Sequence, residues 1–338
     1  MKKADADKLL ELLKEPKNIA IIPHKNPDGD AMGSTLALRR FLNKKGHTAT
    51  VVSPNDYPEF LKWLPDEETV VKYDLHTANA KQTLEHADVI FTLDFNSFSR
   101  CGDLQPLLEK SNATFVMIDH HQQPDDYAEI TYSDVNVCAT SEMVYHVIDA
   151  LNELDLIDKD IATCLYTGIM TDTGSFKFNS TTSLTHRVIA SLIDNGANNS
   201  EIHDKIYDTF SHNRLKLLGV ALNNLNYLPE YKTAFITLSQ KELDEHGFQK
   251  GDTEGFVNYG LSLLGVKMAA IFIENKQENI VKISLRSKGE FSVNELSRQH
   301  FHGGGHTNAA GGRSDVSLRE TVDYFISILP QYKNALNE

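Results

Sequence analysis

The sequence feature that most constrains the fold is a short apolar segment that ends in acidic or histidine side chains. It occurs three times, at residues 19–22, 87–93 and 114–118, with helical patterns between the occurrences. The side chains that follow these segments are His24, Asp28 and Asp30, then Asp94, and finally Asp119, His120 and His121. Apolar runs that alternate with helices predict parallel strands joined by right-handed crossovers. Because the carboxyl ends of parallel strands meet at one edge of a sheet, we expect these side chains to converge in one crevice.

The order of elements and the length of 338 residues predict an α/β protein with two domains. Residues 1–195 are predicted to form a mostly parallel sheet flanked by helices, one of which starts near residue 141 and is capped by Thr140 or Ser141. Residues 196–230 are predicted to form a helical linker. From residue 231 the pattern changes, and residues 231–338 are predicted to form a smaller α/β domain that contains a hairpin about residues 275–279.

The composition argues against several classes of protein. No apolar run approaches the ~20 residues that span a bilayer, and the N-terminus lacks the apolar segment of a secretory signal. Three widely spaced cysteines form no CxxC pair, which fits a reducing cytoplasm. A net charge of −14 argues against a protein that grips long nucleic acid, although bound cations would allow a small anionic substrate. We therefore expect a cytoplasmic protein with no membrane partner and no long duplex partner.

Six side chains are the candidate metal ligands, and one of them, Asp172, is predicted to lie in a Gly/Thr-rich turn after a helix. The six are His24, Asp28, Asp30, Asp94, His120 and Asp172. They are too many for one catalytic zinc and suit two ions that share a carboxylate, an arrangement that generates a hydroxide for phosphoryl transfer. Ligation by histidine and carboxylate without thiolate favours Mn²⁺, with Mg, Co or Zn as alternatives. The competing interpretation of Asp28 and Asp172 is helix capping.

A second candidate site lies in the C-terminal domain, where Gly303, Gly304 and Gly305 precede His306. No P-loop sequence occurs in the chain. A triple glycine is often only a flexible turn. With His306 beside it and Arg286 at the end of a predicted strand, it would instead bring backbone N–H groups and two cationic side chains onto an anion.

These motifs together resemble the DHH phosphoesterase superfamily, which is named for the sequence Asp119-His120-His121. The four N-terminal blocks match its motifs in order, and Arg286 with the Gly303–His306 and Ala309–Gly311 segments is similar to its DHH-associated domain. The length and domain pairing most resemble the bacterial nanoRNase/pAp phosphatase group. The resemblance implies a Mn-dependent phosphodiesterase and phosphomonoesterase with its active site in the cleft between the two domains.

The resemblance also implies a role for each matching residue. One metal would be held by His24, Asp28 and Asp94, and the other by Asp30, Asp94, His120 and Asp172, so that Asp94 bridges the two. Asp119 would orient an imidazole, and His121 would lie beside the scissile phosphate as a charge stabiliser or proton donor. Arg286 and His306 would hold the terminal phosphate or base, with Gly303, Gly304 and Gly305 beside them. The sequence departs from the family pattern at His302, where the family often has a glycine. This departure concerns the shape of the nucleotide pocket.

Several activities within the superfamily fit these residues. The resemblance implies short RNA oligonucleotides and 3′-phosphoadenosine 5′-phosphate (pAp) as substrates. Alternatives are a phosphodiesterase for linear or cyclic dinucleotides (pApA or c-di-AMP) and an inorganic pyrophosphatase. A catalytically inactive regulatory protein is a further alternative, although no metal ligand is missing. A homodimer is expected only from the general frequency of dimers.

Overall fold

The computed structural model describes residues 1–337, which form two compact units, one from Met1 to Thr209 and one that begins at Phe210. This boundary lies within the segment predicted as a helical linker. None of the helices in residues 1–337 is long and apolar enough to cross a membrane.

The first unit contains one sheet with helices on its faces. Its strands are β1 (Asn18–Ile22), β2 (Thr48–Ser53), β3 (Val71–Lys72), β4 (Val89–Leu93), β5 (Thr114–Asp119) and β6 (Ile130–Ser133). Its helices are α1 (Lys3–Leu12), α2 (Gly29–Lys44), α3 (Thr77–Glu85), α4 (Gln105–Leu108), α5 (Thr140–Ala150), α6 (Lys159–Asp172), α7 (Ser183–Asp194) and α8 (Asn199–Tyr207).

Every strand pair in this sheet is parallel, and the strand order is β3-β2-β1-β4-β5-β6. The predicted mostly parallel sheet is therefore confirmed. From β1 the chain winds outward to β2 and β3, and then returns to the other side of β1 to form β4. The direction of winding reverses between β1 and β4, and open α/β sheets bind ligands beyond the carboxyl ends of the strands at such a switch point.

Alternation along β1 shows why both faces of the sheet are covered. Ile19 and Ile21 are buried in the larger apolar cluster of this unit, whereas Ala20 and Ile22 belong to a second cluster. Successive strand residues point to opposite faces, so a strand that is apolar throughout needs helices on both sides. The near-continuous apolar strands of the sequence follow from this packing.

The second unit is built on a mixed sheet. Its strands are β7 (Asn226–Leu228), β8 (Thr233–Leu238), β9 (Met268–Asn275), β10 (Ile280–Ser287), β11 (Gly304–His306) and β12 (Ala309–Ser314). Its helices are α9 (His212–Asn223), α10 (Gln240–Glu245), α11 (Phe256–Leu261), α12 (Val293–His300) and α13 (Leu318–Asn337). The strand order is β11-β12-β10-β9-β8-β7, and β8 pairs with β9 in parallel while the other pairs are antiparallel. The predicted smaller α/β domain and its β9–β10 hairpin are confirmed.

The prediction that Asp172 lies in a turn was wrong, and so was the predicted capping of α5 by Thr140 or Ser141. Asp172 is not in a turn but is the last residue of α6. The glycine run is not a free loop, because Gly304 and Gly305 belong to β11 and pair with Gly311 and Ala310 of β12. A β-carbon on Gly305 would collide with the carbonyl oxygen of Ala309, so this close pairing requires glycine.

Candidate metal centre

The three strand ends that were predicted to converge are neighbours in the sheet. His24 lies two residues beyond β1, Asp94 follows β4 directly, and His120 follows the last residue of β5. Because β4 lies between β1 and β5, Asp94 occupies the central position. The remaining three candidate ligands belong to helices and their ends, with Asp28 at the N-cap of α2, Asp30 near the start of α2 and Asp172 at the end of α6.

Asp28 acts as the N-cap of α2 and also faces the candidate centre. Its Oδ1 accepts hydrogen bonds from the backbone N–H groups of Asp30 and Ala31, each at 3.0 Å. Its Oδ2 lies 3.8 Å from Nε2 of His24. The capping interpretation and the ligand interpretation therefore concern different oxygens of one carboxylate.

The first group of potential ligand atoms comes from His24, Asp28 and Asp94, whose ligand atoms lie within 4.8 Å of one another. The Nδ1 of His24 contacts the carbonyl oxygen of Lys25 at 2.9 Å, and an N–H at Nδ1 would donate to it. That arrangement directs Nε2 towards the carboxylates, where it lies 3.4 Å from Oδ2 of Asp94.

The second group comes from Asp30, His120 and Asp172, whose ligand atoms also lie within 4.8 Å of one another. The Nδ1 of His120 lies 3.1 Å from the carbonyl oxygen of Val137, which fixes the ring orientation in the same way. The Nε2 of His120 is 3.8 Å from Oδ2 of Asp30 and 3.6 Å from Oδ2 of Asp172. Histidines that bind metals through one nitrogen commonly donate from the other nitrogen to a carbonyl or carboxylate.

Asp94 connects the two groups. Its Oδ2 faces His24, and its Oδ1 lies 3.4 Å from Nε2 of His120. Its backbone has φ of 65°, a left-handed conformation that costs a non-glycine residue free energy and often occurs at functional sites. One carboxylate thus presents each of its oxygens to a different donor group.

The distances between the histidine Nε2 atoms and the carboxylate oxygens indicate whether these residues fit a metal ion. The distances of 3.4–3.8 Å exceed the usual hydrogen-bond length. Two atoms that each lie about 2.1 Å from one ion are separated by about 3.0–3.4 Å in tetrahedral or octahedral sites. The two 3.4 Å contacts of Asp94 reach this range, and imidazole nitrogens and carboxylate oxygens are donors that divalent metal ions accept.

The electrostatics of these residues show what a metal would compensate. Burial lowers the pKa of His24, but the carboxylates of Asp28 and Asp94 outweigh it and raise the pKa to about 10. Burial disfavours the ionised form of Asp94, yet His120 and His24 hold its pKa well below the usual range. Burial and neighbouring carboxylates raise the pKa of Asp30 well above the usual range. Clustered buried carboxylates of this kind are stable as anions only with compensating positive charge.

Asp119 orients His121, not His120. The Nδ1 of His121 lies 2.7 Å from Oδ1 of Asp119, and the backbone N–H of His121 donates to Oδ2 at 2.9 Å. Asn96, which sequence reasoning missed, donates from Nδ2 to the carbonyl oxygen of His121 at 3.0 Å. Burial lowers the pKa of His121. Asp119 thus orients the imidazole of His121, and Asn96 holds the backbone of the same residue.

Close helix packing behind the site was also missed by sequence reasoning. A β-carbon on Gly33 of α2 would collide with the carbonyl oxygen of Cys164 in α6. A β-carbon on Gly168 of α6 would collide with Oγ of Ser141 and would lie 2.8 Å from Oδ1 of Asp30. These glycines let α2, α5 and α6 approach closely enough to place Asp30 in the site.

In the second unit, the predicted substrate residues lie in one row of the sheet. Arg286 of β10 is directly opposite Ala309 of β12, and His306 of β11 is opposite the same Ala309 from the other side. Side chains at directly opposed positions share a face. The backbone N–H of Gly305 donates to Oδ1 of Asn294 at 2.9 Å, which holds the glycine segment in place. Arg286 and His306 therefore flank a small side chain.

Histidine and carboxylate groups at the switch point of a doubly wound sheet define this unit as an α/β protein with a candidate metal centre. Residues 18–169 match the DHH family, N-terminal domain, and residues 231–332 match the DHHA1 domain. The chain belongs to the DHH/DHHA1 phosphoesterase family, and it is a metal-dependent phosphoesterase of that family.

Similar proteins cover nearly the whole chain. It is 31% identical to the bifunctional oligoribonuclease and PAP phosphatase NrnA of Thermus thermophilus, over 87% of this chain and 83% of that protein. It is 29% identical to the probable bifunctional oligoribonuclease and PAP phosphatase NrnA of Streptococcus mutans, over 94% of this chain and 96% of that protein. A crystal structure of an exopolyphosphatase-related protein from Bacteroides fragilis is 37% identical and has a TM-score of 0.95, covering 100% of this chain and 98% of that one.

Proposed function

We propose that this phosphoesterase uses two divalent metal ions, with Mn²⁺ preferred, to hydrolyse short oligoribonucleotides to mononucleotides and to remove the 3′-phosphate of pAp. The observation that carries the proposal is the position of Asp94, whose two carboxylate oxygens face His24 and His120 in separate ligand groups. A carboxylate with one oxygen for each group would suit two ions about 3.5–4 Å apart.

The proposed ligands divide as the two groups do. His24, Asp28 and Asp94 would hold one ion, and Asp30, His120 and Asp172 would hold the other together with the shared carboxylate. When bound, the ions would neutralise phosphate charge and lower the pKa of the water molecule that attacks phosphorus. Ligation by nitrogen and oxygen without thiolate supports Mn²⁺ as the preferred ion.

His121 is proposed to act on the leaving group. Its Nδ1 is engaged by Asp119 at 2.7 Å, so Nε2 is the atom that would donate a proton to the leaving oxygen or stabilise its charge. Because the neutral tautomer that Asp119 favours carries its proton on Nδ1, donation from Nε2 requires the imidazolium form, which the carboxylates of Asp119 and Asp94 stabilise.

Arg286 and His306 are proposed to bind the terminal phosphate or base of the substrate. The row that they form with Ala309 supports this role, since two cationic groups on one face of a sheet can contact separate oxygens of an anion. The names of the relatives from T. thermophilus and S. mutans, oligoribonuclease and PAP phosphatase, support the same class of substrate.

The test is a product-resolved assay with Mn²⁺ on an RNA 2- to 5-mer series, pAp, a cyclic dinucleotide, pyrophosphate and polyphosphate. We expect mononucleotides from the RNA series and phosphate from pAp. Asp94→Asn should lose turnover on both substrates. Asp88→Asn is the matched control, because Asp88 lies at the opposite end of β4 and its Oδ2 accepts the backbone N–H of Asn18.

Each other outcome would contradict part of the proposal. Turnover of only cyclic dinucleotide, pyrophosphate or polyphosphate would keep the two-metal chemistry and reject the substrate. Wild-type turnover in Asp94→Asn would reject the shared carboxylate. Inactivity on all five substrates would favour a regulatory role.

A further inference from the structure

The N-terminus of α5 is capped by a side chain from a distant part of the sequence. The N-cap of α5 is Ala139, whose methyl side chain cannot accept a hydrogen bond. The prediction that Thr140 or Ser141 caps this helix is therefore wrong. Instead, Oδ2 of Asp30 accepts the N–H of Thr140 at 2.6 Å, and Oδ1 accepts the N–H of Ser141 at 2.8 Å. A helix N-terminus offers such unpaired N–H groups and a positive dipole end to a carboxylate.

The hydroxyl of Thr140 makes a second contact, to Asp94, which belongs to the first group of potential ligands. Its Oγ1 donates to Oδ1 of Asp94 at 3.1 Å. Thr140 is fully buried, so water cannot replace this donor without a rearrangement. One residue therefore holds Asp30 through its backbone and Asp94 through its side chain.

Asp94 depends on contacts of this kind. Its left-handed backbone is a strained conformation for a non-glycine residue, and such conformations persist only where surrounding contacts hold them. The oxygen that accepts the Thr140 hydroxyl is also the oxygen that faces His120. A carboxylate oxygen has two lone pairs, so the hydroxyl can occupy one and direct the other.

We propose that Thr140 is a positioning residue that fixes the Asp30 and Asp94 carboxylates relative to each other for binding of the metal pair. The inference rests on the proposed two-metal function. Contacts to the groups that orient metal ligands typically change metal affinity by about 10–100-fold when they are removed.

The test is calorimetric Mn²⁺ titration of the metal-free, full-length protein. Thr140→Val keeps the shape of the side chain and removes the donor, and we expect its Mn²⁺ affinity to fall by about 10–100-fold. Thr140→Ser keeps the hydroxyl, and we expect it to stay within about threefold of the wild type. Thr35→Val is the matched control: Thr35 is equally buried, but its hydroxyl donates to the backbone carbonyl of Ala31, and we expect unchanged Mn²⁺ binding.

Three results would overturn the proposal: wild-type affinity in Thr140→Val, equal losses in Thr140→Val and Thr140→Ser, or the same loss in Thr35→Val. If Thr140→Val does not fold, as judged by circular dichroism, Thr140→Ala deletes the same donor and must show the same loss. The wild-type titration separates this test from the proposed function. Fewer than two bound ions in the wild type would reject the two-metal function, whereas two ions bound equally by wild type and Thr140→Val would reject only the role of Thr140.

Discussion

Replacing Asp172 with asparagine would separate a metal-ligand role from a structural one. Asp172 is the last residue of α6, and a carboxylate at a helix C-terminus interacts unfavourably with the helix dipole, by about 0.3–1 kcal/mol. Its side chain is 27% exposed, and its Oδ2 lies 3.6 Å from Nε2 of His120. Asparagine keeps the shape of the side chain and removes its charge.

In the metal-free protein, the charge of Asp172 has opposing effects of similar size on the free energy of unfolding. Burial lowers the pKa of His120, but Asp94, Asp172 and Asp30 outweigh it and raise the pKa well above the usual range, so His120 carries a proton. At an effective dielectric constant of about 20, the 3.6 Å contact between Asp172 and protonated His120 is worth roughly 5 kcal/mol of attraction. Asp30 lies within 4.8 Å, so its ionised form and Asp172 repel each other by about 3.5 kcal/mol, and this repulsion is one of the causes that, after burial, raise the pKa of Asp30. With the helix dipole added, these effects nearly cancel. We expect the free energy of unfolding of metal-free Asp172→Asn to lie within about 1 kcal/mol of the wild type.

With Mn²⁺ the balance changes, because the variant offers the ion a neutral amide oxygen in place of a charged carboxylate. A loss of about 10–100-fold in affinity removes about 1.4–2.7 kcal/mol of metal-dependent stabilisation when the metal is in excess. For a unit of this size, 1 kcal/mol corresponds to about 2–4 °C in melting temperature. The Mn²⁺-induced rise in melting temperature should therefore be about 3–11 °C smaller in Asp172→Asn than in the wild type.

The assay is differential scanning calorimetry of chelator-treated protein with and without excess Mn²⁺. Asp194→Asn is the control, because Asp194 is also the last residue of a helix, α7, and is exposed. It should keep the full Mn²⁺-induced shift. A metal-free Asp172→Asn protein that is destabilised by more than about 2 kcal/mol, with a normal Mn²⁺ shift, would show that Asp172 is structural and refute the reasoning.

Three further predictions follow from contacts in the first unit. Because the pKa of His24 is raised to about 10, this residue in the metal-free protein carries a proton at neutral pH, and Mn²⁺ must displace it. The apparent affinity for Mn²⁺ should therefore rise by up to about tenfold per pH unit, and titrations in buffers of different ionisation enthalpy should show proton release. Gly168→Ala should destabilise the metal-free protein by about 1–3 kcal/mol in urea unfolding and weaken Mn²⁺ binding, since the added carbon collides with Ser141 and crowds Asp30. The pKa of Asp158 is lowered to about 2, although burial opposes this shift. Ionised Asp158 therefore contributes stability above about pH 4, and this contribution is lost as the pH falls through about 2. Asp158→Asn should lack that contribution in acid unfolding curves.

The sequence was most informative where topology alone determines position. His24, Asp94 and His120 follow strands, and parallel strands of a doubly wound sheet bring their carboxyl ends together whatever the side chains between them are. The predicted convergence therefore needed only the apolar segments and the polar residues after them. Asp28 illustrates a limit of this reasoning, since the pattern could not show that one oxygen caps α2 while the other faces His24.

Contacts between distant segments could not be predicted in the same way. The hydrogen bond from the Thr140 N–H to Asp30 joins residues 110 positions apart and depends on how α2 packs against α5. The orientation of His120 depends on the carbonyl of Val137, a group that every residue carries. The pairing of Gly304 in β11 was not predicted, because glycine is generally disfavoured in strands. Here glycine is favoured in the strand, because the neighbouring strand lies too close for a larger side chain.

The metal-free centre compensates its buried carboxylates with two kinds of positive charge, and only one kind can be exchanged for metal. Backbone N–H groups of α2 and α5 bind Asp28 and Asp30, and these contacts belong to the fold itself. A proton on His24, held by Asp28 and Asp94, provides the other kind. A metal ion would take the place of the proton while the N–H groups remain, so the carboxylates are oriented in advance for a metal. In a chain with a net charge of −14, bound metal would reverse the local charge, and we therefore expect the affinity for a phosphate ester to depend on metal occupancy.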